Sequence, residues 1–217
     1  MAFLTDILRF ATIAQILFLL GLFRRDRGNQ QNTVPILLFG LCIVGYLLAD
    51  WPTMKHHPAI FLPLLTLPFL APAAFWLFSK SIFDDGFQWR RSFVWILVAM
   101  AAVHYVVFFQ IRQPFMPLPA SIQMLLGWLL QLVSLAFIIL GILEAAHNRE
   151  ADLILSRLQF RTVFIIATAA LMAITVLSEV SLQDAPPPPM LNVAQKACIA
   201  GLTVFFSLQL LSFKPGF

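Results

Sequence analysis

Seven long apolar runs, divided by short charged or proline-bearing breaks, constrain this chain more than any other feature of its sequence. They are Phe3 to Phe23, Val34 to Asp50, Pro58 to Phe78, Phe93 to Gln110, Ser121 to Ala146, Thr162 to Leu182 and Leu191 to Phe213. A hydrocarbon core about 30 Å thick is crossed by about 20 apolar residues in a helix, and each run is near that length. In lipid a spanning segment must satisfy its own backbone polar groups, so continuous runs of this kind predict helices rather than the alternating strands of a barrel. Composition points the same way: 60% of the 217 residues are hydrophobic and 11% are charged, against roughly 25% charged in an average soluble domain. A water-soluble globule of this size cannot hide so much apolar surface. The expected fold class is all-α, a polytopic seven-transmembrane-helix bundle that forms a single domain over residues 1–217, with only short loops between the spans.

The loops set the orientation. Of the 14 Lys and Arg residues, ten fall on one side of the expected bundle: Arg24, Arg25, Arg27, Lys80, Arg90, Arg91, Arg149, Arg157, Arg161 and Lys214. Lys55 and Arg112 fall on the other, and Arg9 and Lys196 lie within spans. Basic loops stay in the cytoplasm, so the N-terminus is expected outside and the C-terminus inside. The net charge of +4 is explained by this bias and does not call for nucleic acid. The first run carries its basic pair after the apolar stretch and lacks a small-residue cleavage site, so it reads as a retained helix rather than a signal peptide.

Outer loops are short and proline-bearing, and Pro186 to Pro189 are expected to form a stiff polyproline II strap before the last span. Pro63, Pro68 and Pro72 are expected to kink the third. No internal repeat is present, which removes one support for an inverted-repeat transporter. Cys42 and Cys198 both fall in apolar runs with no partner ligand at metal spacing, and read as buried structural thiols.

Strongly polar residues inside the spans gather toward the outer side: Asp6 and Arg9 in the first, Asp50 at the end of the second, His104 in the fourth, Glu179 and Lys196 in the sixth and seventh. An intramembrane charge costs at least about 2.5 kcal/mol on insertion scales, so such groups pair or line a wet cavity. Asp6, Arg9, His104, Glu179 and Lys196 are therefore candidates for an outer polar cavity that takes an unknown small ligand. Asp6 and Arg9 share a helix face, and Glu179 and Lys196 flank the proline strap, so two structural ion pairs are the alternative. Gln15, Gln131 and Gln209 read as interhelical glue.

Enzyme signatures are missing. The sequence has no nucleophile elbow, zinc-protease helix, phosphate-cradling loop or paired-aspartate motif, and an enzyme is not expected. His56 and His57 lack further ligands at metal spacing and read as loop surface, so neither a metal nor a cofactor is expected. Lys196 in the last span suggests a retinal Schiff base only weakly, because Asn192 rather than an acid precedes it by one turn. Asp84 and Asp85 lie in a cytoplasmic loop beside Arg90 and Arg91 and read as local charge balance.

After the fifth run, HNREADLILSRLQFR sets Leu153, Ile154 and Leu158 against Arg149, Asp152 and Arg157 at helical spacing, an interfacial turn that could dock a partner. Two loop patterns carry a family resemblance. One is FWLFSKSIFDDGFQWRR, from Phe75 to Arg91; the other is R-x-x-D-L-x-x-x-R-x-x-x-R, met by Arg149, Asp152, Leu153, Arg157 and Arg161. With the helix count, they resemble the seven-helix N-terminal membrane region of some bacterial AraC-type transcription regulators. That resemblance implies a sensor in the bacterial inner membrane, with a cytoplasmic helix-turn-helix pair that binds promoter DNA following it. No recognition helix lies within these residues, so DNA binding is expected of a domain beyond Phe217 or of a cytoplasmic partner, not of this chain. Asp84, Asp85, Arg149, Asp152, Arg157 and Arg161 would then be the cytoplasmic signalling residues. Membrane lipids are expected partners and a homodimer is left open. The alternative expectation is a small proton-coupled transporter, with Glu144 and Gln209 hinting at a path to the inner face; a lipid-active enzyme with His104 as base ranks last.

Overall fold

The computed structural model describes residues 2–27, 33–51, 54, 56, 58–84, 86–112, 118–147, 163, 166–175, 178 and 188–212. Among these the regular structure is all helical and contains no strand. Its helices are α1 (Ala2–Arg27), α2 (Thr33–Ala49), α3 (Pro58–Phe83), α4 (Arg91–Arg112), α5 (Ala120–His147), α6 (Ile166–Thr175) and α7 (Pro189–Ser212). Four of them contain stretches long and apolar enough to cross a membrane: Phe3–Arg25, Ile60–Phe83, Arg91–Gln110 and Ala120–Ala146. The 17 residues of α2 and the described part of α6 are apolar but shorter.

Helix ends depart from the hydropathy boundaries in two informative places. Expected to stop at Phe78, α3 instead runs to Phe83, because Lys80 finds a carboxylate on α5 and the last turn stays tied to the bundle. Pro189, expected to close the proline strap, opens α7, where its missing N–H costs nothing and its fixed φ already suits a helix. Pro186 and Pro187 lie outside the described residues. α3 runs unbroken from Pro58 to Phe83 through its three internal prolines.

Apolar packing is organised around α3, which contacts α2, α4 and α5, while α1 contacts α2 and α7. Ala73, Ala74, Phe75 and Leu77 of α3 are fully buried. One core joins Ile36, Phe39 and Cys42 of α2 to Phe75 and Phe78 of α3, Ile138 of α5 and Ala169 of α6. A second joins Ile13, Ile16 and Leu20 of α1 to Val44 and Leu47 of α2 and Ile199 of α7. Close approach of the helices depends on small residues. A Cβ added at Gly45 would fall 2.3 Å from Leu67 Cβ on α3, and one at Gly141 would fall 2.7 Å from the Phe75 ring. Backbones meet at such notches because lipid offers no hydrophobic drive between spans and contact area must supply the attraction.

The outward surface is apolar, with Trp95, Leu125, Leu129, Leu132 and Val106 exposed. Such a surface suits lipid and not water. Cys42 is buried as expected, whereas Cys198 is exposed on α7 and so is not a buried thiol.

Candidate functional site

Three helix ends meet at one face of the bundle: the start of α1, the end of α2 and the start of α7. Asp50, immediately after α2, holds them together. Lys196 on α7 donates from Nζ to Asp50 Oδ2 at 2.6 Å, and Arg9 on α1 donates from Nη2 to the same oxygen at 3.4 Å. Arg9 Nη1 also donates to Asp6 Oδ1, and Lys196 to Asn192 Oδ1, each within one turn of its own helix. Phe10 meets Trp51 edge to face at a centroid distance of 5.2 Å and fixes α1 against the residue after Asp50.

Burial is unequal across this group. Side chains of Arg9 and Lys196 are 3% and 4% exposed, whereas Asp50 and Asp6 are 33% and 44% exposed. Two cations thus lie beneath two carboxylates that reach the surface. Arg9 Nε is buried without a hydrogen-bond partner among the described residues, and together with Nη2 it forms the fork edge that suits a planar oxyanion. The four formal charges sum to zero. An approaching carboxylate or polar group could therefore compete for the buried donors or for the exposed acids.

A polar seam continues inward from this cluster between α1 and α7. Gln15 Nε2 donates to Ser207 Oγ at 2.7 Å, and Ser207 and Thr203 each donate to the carbonyl one turn back. Ser207 lies 11 residues beyond Lys196, about 16 Å along a helix axis. Gln195 Nε2 donates to Ser178 Oγ at 3.3 Å, linking α7 to the chain just after α6.

The expected cavity residues are thus partly gathered. Asp6, Arg9 and Lys196 come together, and the pairing of Asp6 with Arg9 follows the three-residue spacing read from the sequence. Lys196, expected beside Glu179, pairs with Asp50 and Asn192; Glu179 lies outside the described residues. His104 stands apart on α4. Its Nδ1 lies 2.8 Å from the Met100 carbonyl oxygen and its ring stacks on Phe69 of α3 at 5.0 Å. Next to it Tyr105 donates to the Leu62 carbonyl, and Thr66 Oγ1 lies 2.6 Å from the Tyr105 hydroxyl. These bonds stitch α3 to α4.

At the opposite face Lys80 donates to Glu144 Oε1 at 2.7 Å and lies 3.8 Å from Asp84 Oδ2. Glu144, read from the sequence as a hint of an inner polar path, is therefore held in an α3–α5 ion pair. Asp85, Arg149, Asp152, Arg157 and Arg161 lie outside the described residues. Asp50 is the residue of this cluster that the sequence reading placed near the others but left out of the candidate cavity. Its signal was present, since it is the one acid closing an otherwise uncharged apolar run.

An all-helical architecture among the described residues, lipid-suited flanks and two buried cations beneath partly exposed carboxylates at one end of the bundle define a membrane protein. No known protein family, no characterised protein and no solved structure matches the chain.

Proposed function

We propose that this chain is a signal-sensing module of the bacterial cytoplasmic membrane, with seven spans, an external N-terminus and an internal C-terminus. The shared carboxylate of Asp50 carries the reading. One acid at the end of α2 serves cations from α1 and α7, so any ligand that takes one of those cations alters the contact to the other helix. The unpartnered Arg9 Nε strengthens the case, because an unsatisfied buried donor costs about 1–3 kcal/mol that a ligand oxygen would recover. A ligand shifts two helix packings only by its difference in affinity for them, and α7, anchored at Lys196, is the element that carries the shift to the other face.

Parity of the bundle supports the span count. The Asp50 cluster joins the start of α7 to the start of α1, while the Lys80–Glu144 pair joins the ends of α3 and α5. Chain leaving α5 at the Lys80 face must cross back before α7 begins, and apolar α6 lies on that stretch. The basic residues Arg24, Arg25, Arg27, Lys80, Arg90 and Arg91 share the Lys80 face, which favours placing it in the cytoplasm. The resemblance to AraC-type membrane regions then supplies the output: a helix-turn-helix domain or partner on the side where α7 ends.

The test places Lys196→Met and Asp50→Asn separately in the native gene and compares transcripts of the variant and parent cells. A confined set of transcripts should change at equal protein level. An unchanged transcript profile at equal protein level would defeat the sensor reading. The seam from Lys196 to Gln15 and Ser207 favours a second reading, a proton-coupled transporter. Purified protein in liposomes holding a pH-sensitive dye separates the two, since only the transporter dissipates an imposed pH gradient.

A further inference from the structure

The turn between α3 and α4, at the face opposite the Asp50 cluster, holds a recess of about 290 Å³. At about 30 Å³ of liquid per water, that is room for roughly ten. Phe87 and Phe93 line the recess and stack at 5.9 Å with planes 5° apart, and Trp76 and Trp89 each pack edge-on to Phe93 at 5.8 Å. Its rim is polar, formed by Lys80, Asp84, Gln88, Arg90 and Ser92.

Charges on that rim are distributed unevenly. Glu144 at 2.7 Å neutralises Lys80. Asp84 is oriented by the Gly86 N–H, which donates to Oδ1 at 2.9 Å, and its Oδ2 lies a loose 3.8 Å from Lys80. Arg90 is exposed, and its guanidinium has no partner among the described residues. Among the described residues the recess therefore presents one uncommitted cation and one loosely committed anion, with the Ser92 hydroxyl and the Gln88 amide also in its lining.

Depth identifies the environment. The apolar stretch of α4 begins at Arg91, so a recess at its first residue sits at the level of lipid headgroups. Trp95, 71% exposed one turn further in, lies where acyl chains begin, and indole rings favour that boundary.

We propose that this recess is a phospholipid headgroup site selective for a zwitterionic phosphodiester that ends in a primary ammonium, the ethanolamine class. Arg90, Ser92 and Gln88 hold the phosphate, Asp84 holds the ammonium, and Trp95 lies along the first carbons of the acyl chain. An anionic glycerol headgroup satisfies Arg90 but sets hydroxyls against Asp84. A choline headgroup brings a quaternary ammonium without N–H donors. The site requires only that the helices lie in a bilayer, and it is separate from the sensor reading.

The experiment is native mass spectrometry of the purified full chain, delipidated in detergent and titrated with phosphatidylethanolamine, phosphatidylglycerol and phosphatidylcholine of identical acyl chains. Phosphatidylethanolamine should bind about tenfold more tightly than the other two, the value of one charge-assisted hydrogen bond. Arg90→Gln should weaken all three. Asp84→Asn should abolish the preference for ethanolamine and leave phosphatidylglycerol binding intact, a selective effect that a folding defect would not produce. Glycerophosphoethanolamine added at millimolar concentration tests the source: failure to displace the lipid supports a membrane lipid, and full displacement overturns it in favour of a free phosphoester. Equal binding of the three lipids, or binding unaffected by Arg90→Gln, overturns the site.

Discussion

Lys196 Nζ lies 2.6 Å from Asp50 Oδ2, joining residues 146 positions apart in sequence. The two partners are not equivalent. Lys196 is nearly inaccessible and, among the described residues, has Asp50 and Asn192 as acceptors, whereas Asp50 is one-third exposed and keeps Arg9 if the lysine is lost. Removing the acid takes the shared carboxylate from two buried cations, leaving Arg9 with Asp6 and Lys196 with the neutral Asn192 among the described residues, and breaking a buried pair from one side costs up to about 3–5 kcal/mol. Asp50→Asn should therefore destabilise the protein far more than Lys196→Met, which removes the buried charge itself. Unfolding by titrated SDS, followed by helical circular dichroism, measures both variants. Equal losses, or a larger loss for Lys196→Met, would mean that Asp50 is not the shared acceptor.

At the other face Lys80 and Glu144 are both 27% exposed, and each can partly recover solvent when the other is removed. Their coupling in a double-mutant cycle should be near 1 kcal/mol, between an exposed and a buried pair. Lys80→Glu should destabilise by setting two acids together, and adding Glu144→Lys should restore most of the loss. No restoration would show that α3 and α5 do not meet there.

Helix contacts make a sharper prediction. At Gly45 a new Cβ would sit 2.3 Å from Leu67 Cβ, next to the backbone of α3, so neither a rotamer change nor a flexible tip can relieve it. Gly45→Ala should cost about 1–3 kcal/mol through overpacking. Gly201→Ala, with nothing within 4 Å of its added Cβ, should be neutral or gain up to about 1 kcal/mol from helix propensity. The same SDS titration compares the pair, and equal effects would remove the close α2–α3 contact.

How far the sequence discloses this arrangement depends on which quantity hydropathy measures. The ends of the apolar runs lie within about five residues of the observed ends of α1 to α5 and α7, because the lipid thickness that sets run length is a property of the solvent; the ends of the sixth run lie outside the described residues. Spacing within a helix disclosed the Asp6–Arg9 pair for the same local reason. Neighbour relations between helices are another matter. That α2 packs against α3, and α3 against α5, is settled by notches such as Gly45 and Gly141, whose meaning depends on what stands opposite. Asp50 was thus visible as the acid closing an apolar run but not as the partner of Arg9 and Lys196. Glu144 was visible as a polar residue near the inner face but not as the partner of Lys80. His104 shows the converse: an isolated polar residue in a span suggested the cavity, yet a carbonyl one turn back and the Phe69 ring occupy it.

Orientation yields the final prediction, since the sensor reading and the position of its ligand both depend on it. Exposed His56 lies between α2 and α3 on the Asp50 face, and exposed Arg90 lies between α3 and α4 on the basic face. In a background carrying Cys42→Ala and Cys198→Ala, His56→Cys should react with a membrane-impermeant maleimide added to intact cells, while Arg90→Cys should react only after the cells are opened. The difference follows from the barrier alone, because α3, with 26 residues and about 39 Å of rise, separates the two positions by a full bilayer thickness. Labelling of Arg90→Cys but not His56→Cys from outside would invert the bundle. It would put the Asp50 cluster in the cytoplasm, where an internal metabolite rather than an external signal would reach it.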